Sequence, residues 1–213
     1  MKIEVVENVL KYNKDQAEKN RKIFDDNNIF VINILSSPGA GKTSLIIETI
    51  KRMKGVKIGV IEGDISSTYD AEKIKDYTDD VVQINTRGSC HLNATMVKQA
   101  LDKMELKNLD MIIIENVGNL ICPVGFYLGE DYKIVLSSVN EGDDKPIKYP
   151  PVFIKSDICL LNKIDLLKIS DFDMKLFTKK LEELNPNMTK FFISCKSGEG
   201  LENWIGWLEE RLK

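Results

Sequence analysis

Histidine is almost missing from this sequence: His91 is the only one in 213 residues, accompanied by four cysteines and six prolines. So sparse a set of soft donors excludes a protein that stores metal on a donor-rich tract. The cysteines, Cys90, Cys122, Cys159 and Cys195, are widely scattered in a lysine-rich chain, which argues against a disulfide framework and for free thiols. Neither sign of charge is in excess, since 30 Lys and Arg face 33 Asp and Glu. Without a whole-chain field, neither nucleic acid nor an anionic membrane is expected as a partner. Long apolar runs are lacking too. Those present fall far short of the roughly 20 residues that cross a bilayer, and the opening MKIEVVENVL has no basic stretch, apolar run and small-residue cleavage site. A soluble, cytoplasmic chain is the expectation. No internal repeat or low-complexity segment interrupts the pattern, and the length suits one α/β domain.

What is present is a recurrence of short β-branched runs: FVINILS (30–36), VKIGVIEG (56–63), VVQINT (81–86), LDMIIIEN (109–116), YKIVLSSV (132–139), DICLLNK (157–163) and FFIS (191–194). Such runs read as strands buried on both faces. Between them KTSLIIETIKRMK, HLNATMVKQALDKM, DMKLFTKKLEEL and LENWIGWLEERLK repeat apolar residues three and four apart, the helical spacing. Alternation of strand and helix predicts an α/β fold, with a mostly parallel sheet of about seven strands and helices on both faces. Residues 3–25 predict a charged amphipathic helix outside this core. The stretch NEGDDKPIKYPPVFIKS (140–156), with three prolines and an acidic start, reads as a surface connection.

The segment ILSSPGAGKTSL joins the first strand to a helix and matches the phosphate-loop pattern from its second glycine onward, with Ser36 where the first glycine is usual. The loop Pro38, Gly39, Ala40, Gly41, Lys42, Thr43 and Ser44, through the backbone N–H groups that follow Pro38 and the positive end of the following helix, makes an anion cradle. In this reading Lys42 reaches the β and γ phosphates and the Thr43 hydroxyl ligates Mg²⁺. About 120 residues later LLNKIDLL supplies Asn162, Lys163 and Asp165 as N-K-x-D. An aspartate there accepts from both the ring N–H and the amine of guanine, whereas adenine leaves it unpaired, a contrast worth roughly 10⁴-fold. Ser194, Cys195 and Lys196 follow the last strand and are placed to cover the base from the other side. GTP and GDP are therefore the expected nucleotides. Asp64 and Glu115 end the second and fourth strands, at the sheet edge that carries the phosphate loop, and are assigned to hold Mg²⁺ and position the attacking water. Capping of a following helix is the ordinary alternative for such residues. Glu62 and Asp70 are secondary candidates.

Cys90 and His91 follow the third strand and Cys122 follows the fourth, so two thiols and one imidazole are expected near the nucleotide, a donor set suited to Zn²⁺ or Ni²⁺. Taken alone, a cysteine is more often a small buried residue, and a histidine after a strand more often begins a helix. Three donors do not complete a tetrahedral site; water or a second copy of the chain supplies the rest. Cys159, inside an apolar strand, and Cys195, in the guanine loop, are not expected as ligands.

Taken together, SSPGAGKTSL, IEGD, QIN followed by CHL, ENVGNLICPVGFYLGE, EGDDKPIKYPPVF and NKIDLL resemble the HypB family of hydrogenase nickel-incorporation GTPases, from about residue 5 onward. The resemblance implies a P-loop NTPase of the SIMIBI type, with residues 1–28 a helix packed on the core and residues 29–213 the GTPase domain. It implies slow GTP hydrolysis, nickel delivery to the large subunit of a nickel–iron hydrogenase, a small zinc-containing accessory protein as partner, and a dimer favoured by GTP with the Cys90, His91 and Cys122 site at its interface. No arginine is placed beside the phosphate loop, although Arg87 is a candidate finger across such a dimer. The chain departs from the family pattern in three ways. No His-rich tract precedes the phosphate loop, and Asn93 and Tyr127 stand where aspartates are usual. Three rival readings are weaker. A urease nickel-insertion GTPase is similar in carrying Cys-Pro-His, which is not the arrangement here; a metal store lacks its tract; a small-molecule kinase lacks a lid and has no use for the guanine motif.

Overall fold

A computed structural model describes residues 2–65, 68–78 and 80–212, residues 2–8 by backbone alone. Met1 and Lys213, the outer limits of the two expected segments, lie outside the described residues. Seven strands form one sheet: β1 (Phe30–Ser36), β2 (Ile58–Asp64), β3 (Val81–Asn85), β4 (Met111–Glu115), β5 (Tyr132–Ser138), β6 (Ile158–Asn162) and β7 (Thr189–Phe192). Their order is β3-β2-β4-β1-β5-β6-β7 and every pairing is parallel. From β1 the chain moves outward to β2 and β3, returns through β4 beside β1, and crosses to β5, β6 and β7. That reversal opens a crevice beyond the carboxyl end of β1, where α/β sheets bind ligands.

Eight α-helices cover both faces: α1 (Lys2–Asp26), α2 (Lys42–Arg52), α3 (Tyr69–Lys75), α4 (Ala94–Leu101), α5 (Lys145–Lys148), α6 (Pro150–Lys155), α7 (Met174–Leu184) and α8 (Leu201–Arg211). Alternate strand residues point to opposite faces, so Ile32, Ile34, Met111 and Ile113 meet Leu45, Ile46, Ile74 and Trp204 from α2, α3 and α8. On the other face Ile112 and Ile114 meet Phe24 and Val97 from α1 and α4, while Leu35 and Val135 meet Phe153 and Phe177 from α6 and α7. Each such side chain contributes about 1.5–3 kcal/mol by leaving water, which is why seven short apolar runs suffice to order the sheet. Trp204 is fully buried, and its indole N–H donates to Thr49 Oγ1 at 3.0 Å, leaving no orphan donor.

Several boundaries differ from the sequence reading, and three of the differences carry physical reasons or consequences. The stretch 140–156 is not an unpatterned connection. It folds into α5 and α6, whose prolines occupy first-turn positions where no N–H is needed, and it buries Val152 and Phe153 completely. α4 starts at Ala94 rather than His91, because the Asn93 side chain accepts from Met96 N at 2.9 Å and caps it. That keeps Cys90, His91 and Leu92 in the loop. β7 begins two residues earlier than FFIS, at Thr189, paired with Ile158. Among the described residues no helix is long and apolar enough to cross a membrane.

Candidate nucleotide and metal site

The phosphate loop is shaped by two glycines with positive φ, Gly39 (79°) and Gly41 (103°), a conformation that side-chain-bearing residues adopt only under strain. Gly41 has a second reason. A Cβ there would lie 2.5 Å from Asn162 Nδ2. The Asn162 amide is engaged by protein on both ends: Nδ2 donates to Ala40 O at 3.0 Å, while Oδ1 accepts from Lys163 N at 2.8 Å and Cys195 N at 3.1 Å. It thus ties the phosphate loop to both loops of the expected base pocket and acts by position. Lys163, left-handed at φ 63°, lies across the loop and donates from Nζ to Gly39 O at 2.8 Å. Lys42 folds back so that Nζ donates to Ser36 Oγ at 3.0 Å, which gives the serine in place of the usual first glycine a defined role. Lys145 was not singled out from sequence, yet its Nζ donates to Ser37 Oγ at 3.0 Å.

Beside this loop lie two cavities. One, of about 350 Å³, is lined by Gly41, Ser44, Asn162, Lys163, Asp165, Cys195 and Lys196 among others, so it gathers nearly all the residues that the sequence leads one to expect around a base. Ser194 is buried beneath it and donates from Oγ to Asp165 Oδ1 at 2.6 Å, so it orients that carboxylate. Burial pushes the Cys195 thiol up to about 12, which keeps it protonated. The second cavity, of about 490 Å³, is lined by the phosphate loop together with Glu62, Asp64, Asp70 and Glu115. Glu62 and Glu115 stand opposite each other in the β2–β4 register and are 2 % and 4 % exposed. One oxygen of each, Oε2, is buried with no hydrogen-bond partner among the described residues. Glu115 Oε1 accepts from Thr43 Oγ1 at 3.2 Å and lies 4.0 Å from Lys42 Nζ. Burial, then the neighbouring carboxylates, raise Glu62 to about 8; burial raises Glu115 to about 7 against the pull of Lys42.

Desolvated, orphaned carboxylate oxygens beside a phosphate cradle and a threonine hydroxyl fit a hard divalent cation. No three His, Cys, Asp or Glu side chains form a ready cage among the described residues, and Mg²⁺ does not require one. In nucleotide sites it keeps several waters and is held by one or two protein oxygens plus phosphates. Thr43, Glu115, Asp64 and Glu62 are the residues here that can hold it.

The soft donors are neighbours rather than a finished chelate. Cys90 Sγ is 3.6 Å from His91 Nδ1, and contact with the Cys122 thiol, then burial, raises the Cys90 thiol above its ordinary value. His91 is held below its ordinary value by burial and packs on Phe126 at 4.0 Å between ring centroids. A soft cation binding here must displace thiol protons, so affinity rises with pH. Asn93 spends its side chain on the α4 cap, a task asparagine performs as well as aspartate. Tyr127 O accepts from Asn13 Nδ2 of α1 at 2.8 Å. Arg87 is exposed on the same loop as Cys90. Sequence reasoning missed a buried polar chain of Asn33, Asn116 and Glu130 between the two donor loops. Its one signal was an asparagine in the middle of the apolar strand FVINILS.

A family model described as the CobW/HypB/UreG nucleotide-binding domain matches residues 30–192. The hydrogenase maturation factor HypB of Escherichia coli (strain K12) is 43% identical over 97% of this chain and 72% of its own length. The probable hydrogenase maturation factor HypB of Methanocaldococcus jannaschii is 36% identical over 99% and 96%. Among solved structures, HypB from Helicobacter pylori in complex with nickel superimposes with TM-score 0.90 at 35% identity, covering 94% of this chain and 95% of that one. The Archaeoglobus fulgidus hydrogenase maturation factor HypB gives TM-score 0.89 at 38% identity, covering 95% and 100%. The chain belongs to the HypB family of hydrogenase maturation factors, built on a P-loop nucleotide-binding domain.

Proposed function

We propose that the chain is a GTP-hydrolysing metallochaperone that delivers nickel to the large subunit of a nickel–iron hydrogenase in the cytoplasm. The observation that carries this reading is the shared sheet edge. The phosphate loop leaves β1, Asp64 and Glu115 end β2 and β4, and the Cys90, His91 and Cys122 loops leave β3 and β4.

GTP lies with its base against Asp165 and its phosphates on the Pro38–Ser44 cradle, where Lys42 leaves Ser36 for the β and γ phosphates. Mg²⁺, when bound, offsets the charge developing on the transferring phosphoryl group. Thr43 and Glu115, which share a hydrogen bond here, would hold the ion, and Glu62 or Asp64 would position the attacking water. Intrinsic turnover is slow, because no arginine lies within the cradle, and Arg87 supplies the charge from a second copy in a GTP-favoured dimer. Nickel, or zinc, is the cargo of Cys90, His91 and Cys122, with the remaining coordination completed by the second copy or water. The partners are a small zinc-containing accessory protein and the hydrogenase large subunit. Nucleotide and cargo affinities change each other by one and the same factor.

Metal content and GTP hydrolysis measured on the wild-type chain and on a Cys90→Ala, His91→Ala, Cys122→Ala variant test this. The expected result is loss of stoichiometric nickel with GTP binding retained. Nickel retained in full by the folded variant would overturn the assignment.

A further inference from the structure

Between the two donor loops runs an unbroken line of buried side-chain hydrogen bonds. Asn116 is 1 % exposed, and its Oδ1 accepts from two backbone donors, Leu92 N at 3.1 Å and Val117 N at 3.0 Å. Its Nδ2 donates to Asn33 Oδ1 at 3.3 Å, Asn33 Nδ2 donates to Glu130 Oε1 at 3.3 Å, and Glu130 Oε2 accepts from Leu128 N at 2.7 Å. Leu92 follows His91 directly, so one donor to Asn116 belongs to the soft-donor loop. The other belongs to the nucleotide site: Asn116, Val117 and Gly118 line the phosphate cavity, and a Cβ on Gly118 would lie 2.9 Å from Pro38 Cγ. The same segment leads within five residues of Val117 to Cys122, whose backbone N donates to Asn119 Oδ1 at 3.2 Å.

A single carbonyl oxygen serving two N–H donors is a geometric constraint on both. In a water-free interior an unpaired amide donor costs about 1–3 kcal/mol, so neither segment shifts alone without losing that bond or dragging the other. Val117 cannot follow a phosphate loop that closes on nucleotide without acting on the bond that holds Leu92, and therefore on the orientation of His91.

We propose that Asn116 is the positioning residue through which nucleotide occupancy reaches the Cys90, His91 and Cys122 donors. This rests on the reading of both sites given above. Asn116 sets the distance between the two loops through its one side-chain oxygen, which its two backbone donors hold in place, while Asn33 only accepts from its amide Nδ2.

The test is a binding cycle on the full chain, with Ni²⁺ affinity measured with and without the non-hydrolysable analogue of GTP plus Mg²⁺. In wild type the two affinities are expected to differ roughly 5- to 150-fold, the usual range of allosteric coupling. Asn116→Ala is expected to bind both ligands with that ratio reduced to about one. Asn33→Ala, which keeps the shared acceptor, is expected to be less stable yet to retain the ratio. An unchanged ratio in Asn116→Ala, or an equal loss in Asn33→Ala, overturns the proposal. A wild-type ratio of one instead overturns the reading beneath it. Amide exchange on the wild-type chain covers the case of an Asn116→Ala variant that does not fold. The analogue should change protection at Leu92 N, and an unchanged rate there refutes the route.

Discussion

Replacing Glu62 by glutamine separates stability from function in a way that the buried acidic pair makes calculable. The Glu62 carboxyl is 2 % exposed, has an orphaned oxygen, and titrates near 8 instead of 4.5 because burial and its carboxylate neighbours disfavour its charge. The folded value lies above the unfolded one, so the folded state holds the proton more tightly. The associated stability is complete below about pH 4.5 and is lost as pH rises toward 8. At 1.36 kcal/mol per pH unit the loss between pH 5.5 and 8 is about 3 kcal/mol for this group alone. Glutamine carries no charge to penalise. Urea denaturation of the nucleotide-free, chelator-treated protein should therefore show Glu62→Gln gaining about 3 kcal/mol on wild type over that interval, while its affinity for Mg²⁺-dependent nucleotide falls. Parallel stability–pH curves for the two proteins would refute the reasoning.

Gly41→Ala should lower stability by roughly 1–3 kcal/mol, from the left-handed backbone and the displaced Asn162 amide, and weaken GTP at least about tenfold. Gly55→Ala, at φ 88° with open space around it, serves as the strain-only control by thermal unfolding and nucleotide titration. Asp165→Ala should raise the GTP dissociation constant by roughly 10²-fold or more and leave ATP unaffected in competition binding, since only guanine offers the paired donors. Asn20→Leu removes donors to Ala94 O at 2.8 Å and Leu128 O at 3.1 Å; the stranded carbonyls should cost about 2–4 kcal/mol by urea denaturation. Nickel binding to the wild-type chain should tighten as pH rises through the range in which the Cys90 thiol loses its proton, read by competition with a chelator of known affinity.

The sequence by itself determined the layers and the family. Seven apolar runs and the helical spacing between them are one-dimensional patterns, and they dictate a parallel sheet covered on both faces. Lys42, Thr43 and Asp165 are legible as motif residues because local backbone does their positioning, the first two by the glycines of the phosphate loop and Asp165 by the turn after β6. Tertiary structure alone decided what depends on distance between strands far apart in sequence. No local pattern reveals that Glu62 faces Glu115 across a register, or that Asn162 spends its amide on Ala40 and Cys195. Nor does it show that segment 140–156 buries Val152 and Phe153 against the sheet. The physical reason is common to these cases. A polar group's role is fixed by which partner reaches it once water has been excluded, and the fold, not the neighbouring residues in the chain, chooses that partner.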